Sequence, residues 1–131
     1  MIHSLPVHVY YEDTDLAGIV YYANYLKYIE RGRSEFVREL GVDQVKLKAD
    51  EGIVFAVTRV EADYLSPARF DDDLTVTTKI AQASGIRLVF EQAVLRGSEK
   101  LFAANVTVVS MTLQGRPQRL PKDLQARLKA A

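Results

Sequence analysis

The sequence contains no cysteine and no tryptophan, and it has only two histidines. Without cysteine, the protein has no disulfide framework, no thiolate nucleophile and no zinc–thiolate site. A Ser-His-Asp triad would have to recruit His3 or His8, which both lie close to the N-terminus. We expect His8, inside the apolar Val7–Val9 segment, to be structural or solvent-facing. Glycine-rich nucleotide loops, Gly-x-Ser-x-Gly elbows and His-Glu-x-x-His pairs are also missing, which excludes the usual hydrolase and nucleotide-cofactor motifs.

The sequence also has no excess of positive or negative charge, because 17 Lys and Arg balance 17 Asp and Glu. A nucleic-acid-binding surface is therefore not expected, and any attraction for phosphate must be local. No apolar run approaches the roughly 20 residues needed to span a bilayer, and the N-terminus lacks the pattern of a secretory signal. We expect a cytoplasmic protein, with residues 1–131 forming a single domain.

The first half of the chain has helical periodicity. A strand is predicted over Val7–Glu12, and bulky apolar residues then recur at three- and four-residue steps from about Tyr22 to Leu40. This spacing predicts one long amphipathic helix. Gly32 interrupts it at a cost of about 1 kcal/mol relative to Ala, which indicates a close approach of the backbone to a flat neighbour. Residues 43–51 predict a short helical or irregular segment.

The second half changes to a period of two, which is typical of strands. Strands are predicted over residues 54–64, 74–81, 86–96 and 101–111, and a short helix over 120–129. Tight turns at Ser84-Gly85 and Gly97-Ser98 join antiparallel neighbours, so we predict a meander. One apolar-faced helix and one long sheet can bury their apolar faces only against each other. The predicted class is therefore α+β, with the hotdog architecture of a sheet curled around a central helix.

The chemically conspicuous segment is Glu12-Asp13-Thr14-Asp15, which precedes Gly18 and the predicted helix. A carboxylate beside free helix-terminal N–H groups combines a base or nucleophile with donors that polarise a carbonyl. The alternative is that Asp13 and Asp15 only cap the helix or form Asx turns. A metal site is disfavoured, because a hard cation requires more oxygen ligands than this segment offers.

The same segment resembles a known family. Tyr11-x-Asp13-Thr14-Asp15-x-x-Gly18-Ile19-Val20-Tyr21-Tyr22-x-x-Tyr25 is similar to the signature of the 4-hydroxybenzoyl-CoA thioesterase-like hotdog enzymes. The resemblance extends to segments 64–72, 88–90 and 115–121, and so covers nearly the whole chain. Within the family it is strongest to the bacterial acyl-CoA thioesterases associated with the Tol–Pal cell-envelope system.

The resemblance implies hydrolysis of an acyl-CoA thioester without metal or organic cofactor, CoA being part of the substrate. Asp15 is the implied catalytic carboxylate, as nucleophile or as general base, with Gly18 in its loop and Asp13 in support. The backbone N–H of Tyr22, at the expected helix start, is implied to polarise the thioester carbonyl. Many Tol–Pal-associated members carry His where this chain has Tyr22, whereas the hydroxybenzoyl-CoA type carries Tyr. The resemblance therefore implies an acyl group that is either short and aliphatic or of the hydroxybenzoyl type.

Family members usually pair into homodimers with one continuous sheet, and many pair again into homotetramers. The resemblance then places each site at a subunit interface, with the predicted walls Val57, Thr58 and the turn comprising Ser84, Gly85, Ile86 and Arg87. Arg59, Lys79 and Arg87 are candidates for the CoA phosphates, with ordinary solvated surface roles as the alternative. Two other functions stay open: a hotdog hydratase, and a non-catalytic module that binds acyl-CoA or acyl carrier protein in an envelope or phospholipid-synthesis complex at the inner membrane.

Overall fold

Five strands and three α-helices form the fold, and the computed structural model describes residues 1–131 throughout. In chain order the elements are β1 (His3–His8), a 3-10 turn (Tyr11–Asp13), α1 (Asn24–Glu39), α2 (Gln44–Glu51), β2 (Ile53–Tyr64), β3 (Asp73–Ala83), β4 (Arg87–Arg96), β5 (Glu99–Thr112) and α3 (Lys122–Ala130). None of these helices has the length and apolarity required to cross a membrane.

All five strands belong to one antiparallel sheet with the order β1-β3-β4-β5-β2. The predicted meander is confirmed for β3, β4 and β5, but it is wrong for β1 and β2. At the end of β2 the N–H groups of Leu65 and Ser66 both donate to the Leu101 carbonyl, at 2.9 and 3.1 Å. The chain then leaves the β2–β5 edge and crosses to the opposite side of the sheet, where β1 pairs with β3. Alternation identifies strands, but it does not identify neighbours that are joined by a longer connection.

The predicted first strand is wrong in its limits, because β1 covers His3–His8 and not Val7–Glu12. Six residues of β1 pair with β3, from His3 opposite Thr78 to His8 opposite Asp73. The strand cannot continue through Tyr10, since its N–H donates to Asp13 Oδ2 at 2.8 Å and opens the 3-10 turn. Local side-chain-to-backbone hydrogen bonds of this kind compete with ladder pairing.

Helix α1 lies across the sheet and buries Tyr28, Ile29 and Phe36 against it, which confirms the predicted helix-in-sheet architecture. A Cβ atom on Gly32 would stand 2.7 Å from Val76 Cγ1, so only glycine fits at this crossing. The predicted close approach to a flat neighbour is confirmed. The helix begins at Asn24, two residues later than predicted, since residues 22 and 23 form a turn.

The two edges of the sheet differ in how well they are protected against pairing with another strand. Strand β1 is short and contains Pro6, which has no N–H to offer to another strand. Strand β2 has 12 residues, and all of them from Arg59 to Tyr64 are exposed. Its free edge therefore presents a long row of backbone donors and acceptors.

Candidate active site

The loop of residues 13–20 connects the 3-10 turn to α1 and is closed on itself. Thr14 and Val20 form an antiparallel bridge, and the Asp15 N–H donates to the Ile19 carbonyl at 2.9 Å. The Gly18 N–H donates to the Asp15 carbonyl at 3.0 Å, with a φ of +77° at Gly18. A residue with a Cβ atom would be strained at that angle, so glycine sets the turn. The loop thus holds the Asp15 backbone in one position.

The Asp15 side chain is exposed and only partly engaged. Its Oδ1 atom accepts a hydrogen bond from the Ala17 N–H at 2.9 Å, and Oδ2 has no partner within the chain. No Lys, Arg or His lies within ion-pair distance. The alternative that Asp15 forms an Asx turn is therefore confirmed, but the capping alternative is wrong, because no side chain caps α1. One carboxylate oxygen stays available for chemistry.

Asp13 organises the surrounding backbone. Its carboxylate accepts from the Tyr10 N–H, and its carbonyl accepts from the Tyr21 N–H and from Asn24 Nδ2, both at 2.9 Å. These bonds tie the start of the loop to the first residue of α1. Asp13 is thus committed to local structure, whereas Asp15 is not. The acidic side chains are not gathered into a set of three or more that could hold a metal ion.

Beneath Asp13 lies the Tyr28 hydroxyl, which is buried and has no hydrogen-bond partner in the protein. Burial, and after it the negative charge of Asp13, raises the pKa of Tyr28. The phenol therefore stays neutral beside the Asp13 carboxylate.

Tyr22 occupies the turn before α1, and its backbone N–H makes no hydrogen bond within the chain. Its carbonyl accepts a hydrogen bond of 2.9 Å from the Tyr64 hydroxyl, which fixes the peptide from the end of β2. The sequence pattern alone gives Tyr64 no role, since this contact joins residues 42 positions apart. The charge of the Asp15 carboxylate reaches the neighbouring Tyr21, whose pKa is raised first by Tyr22 and also by Asp15. The charge of Asp15 therefore reaches the side chain that directly precedes the free N–H of Tyr22 in the chain.

The loop is docked on the crossover segment that follows β2. The Val20 N–H donates to the Ala68 carbonyl at 2.8 Å, and the Ala68 N–H donates to the Tyr25 hydroxyl at 3.0 Å. Arg96 holds the far side of this segment through Asp72, at 2.7 Å. Burial acts to raise the pKa of Asp72, but hydrogen bonds from the Arg69 N–H and from Arg96 lower it overall. The crossover segment that supports the loop is therefore held in place by an ion pair.

The residues predicted to line the substrate site on β2 lie in the middle of that strand, away from the Asp15 loop. Val57 is exposed and borders the groove between β2 and α1, and Thr58 lies at a bulge. Arg59 forms an ion pair of 3.2 Å with Glu61. Since a strand rises about 3.3 Å per residue, Thr58 lies roughly 20 Å from Tyr64 along β2.

The predicted turn over Ser84, Gly85 and Arg87 lies at the opposite end of β3 from the Asp15 loop. The 11 residues of β3 separate the two by about 30 Å. The turn packs on the C-terminal segment: the Leu120 N–H donates to the Gly85 carbonyl at 3.0 Å, and Arg119 lies against Gly85. One chain therefore does not bring this turn to Asp15.

The predicted phosphate-binding cations differ in availability. Lys79 pairs with Glu91 at 3.7 Å across the sheet, and Arg59 is paired with Glu61. Arg87 has no carboxylate within ion-pair distance. Of these three cationic groups, only that of Arg87 is free to bind an anion.

Comparison with known proteins identifies the family of the chain. The profile of the thioesterase-like superfamily matches residues 9–128. The acyl-CoA thioesterase YbgC of Haemophilus influenzae is 39% identical over 94% of this chain and 91% of its own. The acyl-CoA thioester hydrolase YbgC of Escherichia coli is 40% identical over 95% and 93%. A probable thioesterase from Bartonella henselae superposes with a TM-score of 0.88 at 39% identity, over 92% of this chain and all of that one.

Proposed function

The chain belongs to the thioesterase-like superfamily and is a thioester hydrolase, and we propose that it hydrolyses acyl-CoA with Asp15 as the catalytic carboxylate. The observation that carries the proposal is the free carboxylate oxygen of Asp15, on a closed loop that leads into the turn with the unpaired N–H of Tyr22. The YbgC relatives, at about 40% identity, support CoA as the thiol part of the substrate.

The proposed reaction consumes one water and needs no cofactor. The Tyr22 N–H donates a hydrogen bond to the thioester oxygen and stabilises the negative charge that develops there, because a fixed donor stabilises an oxyanion without reorganising. Asp15 either takes a proton from the attacking water or attacks the carbonyl carbon itself, forming an anhydride that water then cleaves. In both routes the C–S bond breaks, the CoA sulfur receives a proton, and the acyl group leaves as a carboxylic acid.

The site is proposed to be completed by a second copy of the chain. A two-fold axis at the middle of β2 pairs the free edges of the two β2 strands antiparallel, which satisfies their exposed backbone groups. This rotation places each end of one subunit beside the opposite end of its partner. The Ser84–Arg87 turn of the partner subunit, about 30 Å from Asp15 within one chain, is then carried toward Asp15 of the first.

The same pairing gives Arg87 a role. Its free guanidinium, contributed by the partner subunit, is proposed to bind a CoA phosphate by charge-assisted hydrogen bonds. Arg59 and Lys79 are weaker candidates, because each already has a carboxylate partner. Thr58 and Val57 stay proposed wall residues on β2.

A cavity lined by six apolar residues and by Glu30, Arg33, Ser34 and Gln44 supports an acyl site of modest size. It has a volume of about 180 Å³ between α1 and the sheet, and its apolar lining is Val37, Phe55, Val57, Leu88, Phe90 and Val108. This volume suits a short aliphatic acyl chain or a single substituted ring. Association with the Tol–Pal system, with acyl carrier protein or with the inner membrane stays a prediction.

The test is release of free CoA thiol by the purified protein on a panel of acyl-CoAs of two to twelve carbons plus hydroxybenzoyl-CoA. The Asp15→Asn protein serves as the background control. We expect turnover of several short acyl groups, because a single methylene changes apolar binding by only about 1–3 kcal/mol. Binding of acyl-CoA without turnover would instead favour the non-catalytic module, and hydration of an enoyl-CoA would favour the hydratase.

A further inference from the structure

The Tyr64 side chain, at the end of β2, has a hydroxyl whose partner lies outside the sheet. Its ring packs edge-on against the rings of Tyr25 and Phe102, with ring centroids 5.5 and 5.0 Å away. A phenylalanine ring would make the same contacts. The hydroxyl donates to the Tyr22 carbonyl at 2.9 Å. The one atom by which tyrosine differs from phenylalanine thus contacts the turn before α1, which carries the proposed oxyanion donor.

The Tyr22 carbonyl belongs to a peptide that no other hydrogen bond holds. In a regular helix the Leu26 N–H would donate to this carbonyl, but here it donates to the Ala23 carbonyl at 3.2 Å. The N–H of the same peptide is that of Ala23, and it makes no hydrogen bond within the chain. Tyr64 is therefore the only group that holds the peptide between Tyr22 and Ala23.

That peptide is the centre of a β-turn. The Tyr21 carbonyl accepts from the Asn24 N–H at 2.8 Å, which closes the turn. The second central residue, Ala23, has a φ of −71° and a ψ of −21°, as a type I turn requires. A type II turn has its central peptide rotated and needs a φ of about +80° at this position. Because the Tyr64 hydroxyl bonds to the central peptide, it stabilises the type I form.

The type I form directs two N–H groups away from the helix. A planar trans peptide points its N–H away from its C=O. The Tyr21 carbonyl is directed to Asn24, so the N–H of Tyr22 points the other way. The Tyr22 carbonyl is directed to Tyr64, so the N–H of Ala23 also points away. A hydrogen bond to the carbonyl strengthens the N–H of the same peptide as a donor, because linked hydrogen bonds polarise one another. Burial raises the pKa of Tyr64, so its hydroxyl keeps the proton that it donates.

We propose that Tyr64 is a positioning residue for the hydrolysis and that it acts through the Ala23 N–H. By holding the Tyr22 carbonyl, its hydroxyl keeps the Ala23 N–H turned toward the thioester oxygen, as a second donor beside the Tyr22 N–H. This assignment rests on the function proposed above and adds the group that fixes the donors before the substrate binds. Two fixed donors stabilise a developing oxyanion better than one, since neither has to reorganise during the reaction.

The test is a double-mutant cycle on kcat, measured by thiol release, with Tyr64→Phe, Ala23→Pro and the double variant. Proline suits position 23, because the φ of Ala23 is −71° and its N–H has no partner in the chain. Tyr64→Phe should lower kcat about tenfold with little change in KM, and Ala23→Pro about 10²-fold. The double variant should be no slower than Ala23→Pro alone. Tyr11→Phe is the matched control and should keep the wild-type kcat, because the exposed Tyr11 ring at the same end of the sheet stacks on Phe70.

Polarisation of the substrate carbonyl is a readout that a merely structural role of Tyr64 would not change. Benzoyl-CoA labelled at the carbonyl carbon, bound to the Asp15→Asn protein to prevent turnover, gives the infrared stretching frequency of the bound thioester. Adding Tyr64→Phe should move this frequency back toward its value in water, whereas adding Tyr11→Phe should not. An unchanged frequency, or independent losses of kcat that multiply in the cycle, would overturn the inference while leaving catalysis by Asp15 intact.

Failure of the proposed function gives a different result, namely wild-type protein that releases no more thiol than Asp15→Asn. The carbonyl frequency then still decides whether Tyr64 acts on a bound thioester. Should circular dichroism show that Ala23→Pro is unfolded, Ala23→Gly takes its place. Glycine keeps the N–H but permits the rotated turn, so Tyr64→Phe should lower kcat more in that background than in the wild type. An equal loss in both backgrounds would contradict a role through the Ala23 N–H.

Discussion

The two ends of the sheet carry opposite charges. At the start of β3 lie the Asp15 loop and the crossover segment, and at the end of β3 lie the Ser84–Arg87 turn and the C-terminal segment. At the first end the acidic residues Glu12, Asp13, Asp15, Asp71, Asp72, Asp73 and Glu99 outnumber the basic Arg69 and Arg96, and at the second the basic residues Arg87, Arg116, Arg119 and Lys122 outnumber the acidic Asp123.

This difference between the two ends shows why a protein with no net charge can still bind a charged substrate. The acidic end holds a free carboxylate suited to proton transfer or nucleophilic attack, while the basic end holds a free guanidinium suited to phosphate. A thioester of CoA needs both, yet one chain keeps them about 30 Å apart. In the pairing through β2 proposed above, the carboxylate of one subunit and the guanidinium of the other come together.

The largest effect is expected at the acidic end, from Asp15→Asn. This change keeps the shape of the side chain and its Asx turn but removes the charge, so kcat should fall by roughly 10²–10⁴-fold with substrate still bound. Asp13→Asn is the matched control. It should lower thermal stability, because Asp13 organises the loop, and should retain more activity than Asp15→Asn. Collapse of turnover in Asp13→Asn alone would identify Asp13 as the catalytic residue.

The next effect concerns the contact that unites the ends. Val60→Lys introduces a charge into the groove beside the free β2 edge, and it should dissociate the dimer and lower kcat/KM at least about tenfold. Light scattering and thiol release on the same sample measure both. Val45→Lys, at an exposed position on α2, is the control and should change neither. Full activity in a monomeric Val60→Lys protein would show that one chain contains the complete site.

At the basic end, Arg87→Ala should raise KM for acyl-CoA by about five- to tenfold with kcat nearly unchanged, since a phosphate contact is made equally in ground and transition states. Arg59→Ala should have a smaller effect, because Arg59 is already paired with Glu61. Steady-state kinetics with acyl-CoA and with an acyl-pantetheine that lacks the nucleotide separate the two. Equal loss on both substrates would exclude a phosphate contact.

The smallest effect is a pH dependence confined to the acidic end. His8 Nδ1 lies 2.7 Å from Asp73 and Nε2 lies 2.9 Å from Asp71, and these hydrogen bonds, that with Asp73 first, raise the pKa of His8 above 6.5. The stabilisation is complete below the unfolded pKa and is lost as pH rises through the raised one. Thermal unfolding between pH 5 and 9 should show a modest decline in Tm that His8→Asn abolishes and Arg87→Ala retains.

The expectation that His8 is structural or solvent-facing agrees with these contacts. Its two ring nitrogens engage two carboxylates and leave no nitrogen for a serine nucleophile. The prediction followed from its place in an apolar strand, but its partners could not be predicted. Asp71 and Asp73 are more than 60 residues away and meet His8 only because β1 pairs with β3.

Local chemistry in the sequence determined the features whose causes lie within a few residues. The period of α1, the alternation of the strands, the turn at Gly18 and the carboxylates before it all depend on neighbouring residues. Gly32 could be predicted as a contact point because a glycine in a helix interior costs stability without a compensating neighbour.

Tertiary structure alone decided what depends on distant residues. It placed β2 beside β5 and the Ser84–Arg87 turn 11 residues of β3 away from Asp15. It also committed Asp13 to the backbone and left Asp15 free, a distinction that the sequence motif does not contain. The physical reason is that alternation and helical period specify which face of an element is buried, whereas the partner of that face is chosen by non-local pairing.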